Sequence, residues 1–216
     1  MKAKTAAEKQ AIVQEFMQRA IVRATRRVMA ENGYDGTSVE LIAKEAGISP
    51  GTIYLYFHNK DDLLTGMIEQ GVDSLISSVR EKADGFSDPI DKIRAVLHEH
   101  ARFFLQDPEF YKIYLIEKAK FIANPKVEWK ERLREKYMVY VNYVEGLVAL
   151  AVGQACLRTT DVRRTASLLL ETAYSIVFHQ MTRPPDTPLD EEVERFLDLI
   201  LHGVRRPRED FTSRSG

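Results

Sequence analysis

The chain has 216 residues, 44% of them hydrophobic, enough for one sizeable core or for a small domain fused to a larger one. It holds no run of 18 apolar residues, so no membrane span is expected, and the charged start MKAKTAAEKQAIVQEF shows no apolar segment leading to a cleavage site, which argues against secretion. A formal net charge of −1 argues against a nonspecific nucleic-acid coat protein, yet residues 1–60 hold nine Lys/Arg against six Asp/Glu and the remainder 22 against 26.

That split gives a mildly basic head on an acidic body, a weak pointer to a polyanion at one end that chance alone can also produce. The single cysteine, Cys156, cannot form an internal disulfide and sits among small apolar residues, so it reads as core in a reducing compartment, the cytoplasm.

Helical periodicity dominates from the start. Residues 10–32 read as a long helix with Ile12, Phe16, Ala20, Ala24 and Val28 on one stripe, stopped by Asn32-Gly33. A short helix follows with Val39, Ile42, Ala43 and Ala46 inward. Thr37 and Glu40 have capping-box spacing, Ser38 is a rival cap, and Gly47 is the stop. Ser49 and Pro50 then suit the N-cap and first turn of a third helix, from Pro50 to about Phe57. Asn59 caps the next, with Asp61 and Asp62 in its first turn, to about Lys82.

Further helices are expected over Ile90–Leu105, Glu109–Ile122, Trp129 to about Leu157, Asp161–Met181 and Leu189–Leu201, with DGFSDP, QDP, Asn124-Pro125 and TRPPDTP as breaks. The fold class is therefore all-α. A three-helix N-terminal domain (1–65) is expected to precede a longer helical domain (66–204) and a loose tail (205–216).

The segment GISPGTIYLYFHNK, residues 47–60, carries the functional argument. Two short helices joined through Gly47-Ile48-Ser49 fit a helix-turn-helix, whose second helix enters the major groove. Ile42, Ala43, Ala46, Ile48, Ile53 and Phe57 can form a mini-core with the first helix. The opposite face then offers a slim start at Gly51, a hydroxyl and methyl at Thr52, and ringed hydroxyls at Tyr54 and Tyr56. Apolar surface there can meet a thymine methyl, and Lys60 and His58 can meet phosphates. An ordinary helical hairpin with core tyrosines fits the same spacing.

The run IVRATRRVMAENGYDGTSVELIAKEAGISPGTIYLYFHNKDDLL, residues 21–64, resembles the DNA-binding head of the TetR family of bacterial transcriptional regulators. Gly33-Tyr34, Thr37-Ser38, Ile42-Ala43, Ala46 to Ser49, Gly51 to Tyr54, Tyr56-Phe57 and Asn59-Lys60 carry that resemblance. It implies a homodimer that binds a palindromic double-stranded operator, usually as a repressor, and is released by a small molecule held in the body. It assigns Thr52, Tyr56 and Lys60 to phosphates, Tyr54 to a base edge or the backbone, and the Thr37-Ser38 cap to a place near the backbone. Ser49 belongs to the same surface, and Pro50, Gly51 and Leu55 would tune specificity without side-chain hydrogen bonds. The length before Ile21, with Lys2, Lys4, Lys9 and Arg19, departs mildly from the family pattern and can supply backbone contacts.

In the body, Phe103, Phe104, Phe110, Tyr111, Tyr114 and Phe121 form one aromatic group, and Trp129, Tyr137, Tyr140 and Tyr143 another. They suit either plain core packing or a pocket for an apolar effector oriented by hydroxyls. Arg102, Lys112, Lys118 and Lys120 would tolerate an anionic head, which favours a fatty-acyl compound, an acyl thioester or an aromatic acid. Excess apolar surface at Leu168, Leu169, Ala173, Ile176 and Val177, and at Val193, Phe196, Leu197, Ile200 and Leu201, suggests that the last two helices dimerise. No HExxH, CxxC or GxGxxG occurs, and His98 and His100 are two apart on a helix, so no enzyme, cofactor or metal site is expected.

Overall fold

The structure, a computed structural model, describes residues 5–33, 35–123, 128–158, 161–182 and 187–203, with side chains for all of these except 6, 7, 120–123, 128–130 and 132. These residues are all-α: α1 (Ala6–Asn32), α2 (Val39–Ala46), α3 (Pro50–Tyr54), α4 (Lys60–Asp84), α5 (Pro89–Leu105), α6 (Pro108–Ala123), α7 (Glu128–Gly153), α8 (Val162–Thr182) and α9 (Leu189–His202). Tyr34 and the tail 205–216 lie outside the described residues.

Local chemistry sets the helix ends. A capping box starts α1 four residues before the expected position: the Thr5 hydroxyl accepts from the Glu8 N–H at 3.2 Å, and the Glu8 carboxylate accepts from the Thr5 N–H at 2.6 Å. The stripe foreseen on α1 is only half inward. Ile21, Val22, Ala24, Val28 and Met29 are buried, whereas Ile12 and Phe16 stand exposed on the early turns. Ser38, not Thr37, caps α2, because the Thr37 hydroxyl is already donated to the Gly33 carbonyl at 2.6 Å. Gly47, at φ 68°, ends α2, and the Ile48 N–H closes on the Ala43 carbonyl in a Schellman arrangement.

The third helix is shorter than its apolar spacing suggested. It stops at Tyr54, where the N–H groups of Tyr56 and Phe57 both turn back to the Ile53 carbonyl. The last turn thus tightens enough to drop Phe57 into the core. Ile42, Ala43, Ile53 and Phe57 are buried there, with Ala46 and Ile48 packed beside them. Asn59 accepts from the Asp62 N–H at 2.8 Å to start α4, which runs unbroken from the head into the body.

In the body, α5 packs against α4, α7, α8 and α9, while α1 reaches α2, α4 and α6. Phe104 is the hub of an aromatic core: its ring centroid lies 5.1 Å from His100 and Tyr111, 5.3 Å from Tyr114 and 5.9 Å from Phe110. Helix α7 ends at Gly153, short of Leu157, and Ala155 just beyond takes a φ of 58°. That turn puts Cys156 on the surface, so it is not a core residue.

The apolar excess of α8 and α9 is mostly internal. Leu169, Ala173, Ile176, Val177, Val193 and Leu197 are buried within the chain itself, so none of them is free to meet a second copy. Phe196 and Ile200 are half-buried, and the exposed apolar side chains of these helices are Leu168, Phe178 and Leu199.

Candidate DNA interface and effector cavity

The head presents one face of α3 to solvent. Ser49 accepts from the Thr52 N–H at 3.1 Å, and its Oγ lies 2.9 Å from the Thr52 hydroxyl, so the cap and the first-turn threonine brace each other. Pro50, Gly51, Tyr54, Leu55 and His58 are exposed around that turn, with Thr52, Tyr56 and Lys60 half-buried at its edge. His58 is fixed through its backbone, whose N–H donates to Asp62 at 3.0 Å, leaving the imidazole outside. Ser38 is half-buried at the α2 cap, whereas Thr37 is 4% exposed with its hydroxyl turned inward. Thr37 therefore shapes the turn between α1 and α2 rather than facing outward.

A cavity of about 210 Å³ lies in the body between four helices. Ile68, Val72 and Leu75 of α4 form one wall, and Leu133, Arg134, Tyr137 and Tyr140 of α7 another. Tyr114, Glu117 and Lys118 of α6, with Glu171 of α8, complete it. The lining is mainly apolar, with a few polar groups that can orient a ligand. Lys118 Nζ sits 3.9 Å over the Tyr174 ring and 2.9 Å from Glu171 Oε1, which holds a cation at the boundary.

The hydroxyls around this space form defined pairs. Tyr140 meets His100 Nδ1 at 3.0 Å, and Tyr114 meets Tyr174 at 2.8 Å. Burial pushes the Tyr114 phenol up to about 12 and raises Tyr140 and Tyr174 well above the usual range, so these groups stay neutral. Burial, with the Lys118 charge behind it, lowers His100 to about 3, so its ring is uncharged as well. His100 Nε2 has no hydrogen-bond partner among the described residues.

Of the aromatic residues singled out by sequence, Tyr114, Tyr137 and Tyr140 line the cavity. Phe104, Phe110 and Tyr111 are buried in the aromatic core, and Phe103 packs against it. Tyr143 points elsewhere, with the Arg80 guanidinium 5.0 Å above its ring. Trp129 is on α7, but its side chain lies outside the described residues, as do those of Phe121 and Lys120. Arg102 is tied to Glu99 and Lys112 to Glu109, so of the basic residues expected near an anionic head, Lys118 is the one lining the cavity. Sequence reasoning missed Ile68, Val72, Leu75, Leu133, Arg134 and Glu171. An apolar stripe reads the same whether it faces a core or a cavity.

Head and body meet at the start of α6. The Arg26 guanidinium of α1 pairs with Asp107 and lies 4.6 Å over the Phe110 ring, and Phe110 in turn presses on Gly71 of α4. Among the described residues, no group of His, Cys, Asp and Glu could hold a metal ion, and no helix is long and apolar enough to cross a membrane.

The profile of the family described as "Bacterial regulatory proteins, tetR family" matches residues 21–67, which span the helix-turn-helix and the start of α4. Residues 21–67 carry the DNA-binding head of that family. Along its length the chain is similar to the "Fatty acid metabolism regulator protein" of Bacillus subtilis (strain 168), 25% identical over 191 residues, 88% of this chain and 95% of that protein. Its fold matches the transcriptional regulator FadR from Bacillus subtilis, solved in complex with stearoyl-CoA, with a TM-score of 0.73 at 24% identity, over 87% of this chain and 99% of that one. It also matches AibR, solved with isovaleryl coenzyme A and operator DNA, with a TM-score of 0.66 at 20% identity, over 86% and 98% of the two chains. Residues 21–67 thus match a DNA-binding regulatory head, and the body shares the fold of these solved regulators.

Proposed function

We propose that this regulator is a repressor. It binds a palindromic operator as a homodimer, through two copies of the 38–60 surface, and leaves it when an acyl compound enters the body cavity. The observation that carries this reading is α4. One helix begins at Lys60 beside the DNA-facing surface and supplies Ile68, Val72 and Leu75 to the cavity wall. A ligand that displaces that wall must therefore move, or strain, the helix that carries the head.

An acyl thioester fits the chemistry of the site. The wall is apolar, the tyrosine hydroxyls stay neutral, and Lys118 offers a cation to an anionic head. The fatty acid regulator of Bacillus subtilis and the structures holding stearoyl-CoA and isovaleryl coenzyme A support the same class. At about 210 Å³ the cavity is smaller than the roughly 300–1,000 Å³ of drug-sized sites, so a long chain would have to part α4 from α7. Exposed Leu168, Phe178 and Leu199 supply an apolar face for the second copy.

The test is a calorimetric titration with acyl-CoA compounds of increasing chain length, beside free coenzyme A and aromatic acids. A parallel measurement of operator binding completes it. Binding of at least one acyl-CoA together with weaker operator affinity is expected. Binding of aromatic acids alone would transfer the site to that class, and acyl-CoA binding that leaves operator affinity unchanged would remove the repressor reading.

A further inference from the structure

Leu55 has 79% of its surface exposed, the largest fraction among the exposed large hydrophobic side chains of the described residues. It stands at the C-cap of α3 with an ordinary helical backbone, while its neighbours Ile53 and Phe57 point inward. A lone exposed leucine needs no explanation on a protein surface. This one lies on the face that enters the major groove under the DNA-binding reading, and the company it keeps is informative. Pro50, Gly51 and Leu55 have no side-chain hydrogen-bonding group, and the Thr52 hydroxyl is engaged with Ser49 at 2.9 Å. Positions 50, 51, 52 and 55 thus offer no Arg, Lys, Asn or Gln to read a base edge with paired hydrogen bonds.

Gly51 adds an independent observation. It lies one turn before Leu55, and a Cβ built on it would meet only Ser49 Oγ, at an ordinary 3.7 Å. Its backbone is not left-handed either. The fold would accept alanine there and gain helix propensity from it. The missing side chain serves nothing inside the protein, so it leaves room for something outside.

We propose that Leu55 is a specificity-determining residue that packs on the C5-methyl of a thymine in each operator half-site, with Gly51 providing the clearance for that approach. The major groove displays this methyl on thymine alone among the four unmodified bases, so an apolar side chain can select it without a hydrogen bond. DNA is favoured over a protein partner because the leucine belongs to a head with nine Lys/Arg against six Asp/Glu. This inference rests on the operator-binding reading above.

The experiment starts with selection of bound duplexes from genomic fragments at about physiological salt, followed by affinity measurements on the recovered operator. Each thymine is then replaced in turn by deoxyuridine, which removes only the methyl. One thymine per half-site is expected at which the replacement weakens binding about four-fold, the value of one buried methyl. Leu55→Ala should bind more weakly and lose that sensitivity at that position alone, while unfolding at the wild-type temperature. Gly51→Ala should unfold at the same or a higher temperature and bind the operator less tightly. An operator that binds tightly but has no methyl-sensitive thymine, or whose sensitivity survives Leu55→Ala, would overturn the inference and leave operator binding intact. Recovery of no specific duplex would remove the operator-binding reading first, and this inference with it.

Discussion

The ring of Phe110 occupies the space that a side chain on Gly71 would need. A Cβ on Gly71 would lie 2.0 Å from Phe110 Cζ, so α6 approaches α4 as closely as it does only because residue 71 is glycine. The contact is next to Val72, which faces the cavity. Gly71→Ala should destabilise the fold. Overpacking costs roughly 1–3 kcal/mol, and helix propensity returns only about 1 kcal/mol. Denaturant unfolding measures the balance, and adding Phe110→Leu should recover part of the loss. A Gly71→Ala protein as stable as the parent would show that the ring moves aside freely.

The same phenylalanine lies under Arg26, which pairs with Asp107 and ties α1 to α6. Asp107→Asn keeps an oxygen for the Phe110 N–H, which donates to Asp107 at 2.9 Å, but removes the charge. Operator affinity without effector should change little. The shift that the effector causes should shrink by roughly 0.5–2 kcal/mol, the usual range for a residue on a coupling route. Operator titrations with and without acyl-CoA measure that difference. An unchanged shift would confine the pair to structural support.

His100 makes stability depend on acidity. Its folded value is about 3, lowered by burial and by the Lys118 charge, whereas an unfolded histidine titrates near 6.5. Between those values the unfolded chain binds the extra proton, so stability falls as pH falls, by about 1.4 kcal/mol per pH unit. His100→Phe should be less stable overall, because Tyr140 loses its partner, yet show a shallower decline between pH 6.5 and 5. The other histidines are common to both proteins and cancel in the comparison. Parallel slopes would mean that the imidazole is protonated in the folded state.

On α8, Leu168, Ser175 and Phe178 fall on one face, and Leu168 and Phe178 are 54% and 56% exposed. Phe178→Glu should give a monomer by light scattering with little loss of thermal stability, because the side chain already meets water in the single chain. Operator affinity should fall with it, since two half-sites would no longer be engaged together. A dimer of unchanged mass would move the interface elsewhere.

The helix-turn-helix was legible because its signals are local. Ser49-Pro50, Gly47 and the capping residue Asn59 act within one turn of themselves, and the apolar spacing of Ile42, Ala43, Ile53 and Phe57 left few ways to fold residues 39–57. Even there, tertiary packing shortened α3, because burying Phe57 required a tighter turn than the apolar spacing indicated. On α1, the capping box at Thr5 is readable in the sequence, but the apolar stripe begins later, so periodicity alone starts the helix at residue 10 and misses its first turn.

In the body, sequence by itself determined helix order, the approximate breaks and the presence of two aromatic groups. It did not decide which rings meet a cavity and which meet one another. Phe104 and Tyr140 are both buried aromatic residues on amphipathic helices, yet one is the hub of a packed core and the other lines an open space. Likewise Ile176 and Phe178 stand two apart on α8, and only the packing of α5 and α7 against that helix makes the first internal and leaves the second outside. Helix ends follow from neighbours a few residues away, which a sequence states directly. The face a side chain finally meets is set by helices distant in the chain, and hydrophobicity is non-directional, so the same pattern serves core, cavity and interface until the tertiary structure assigns each.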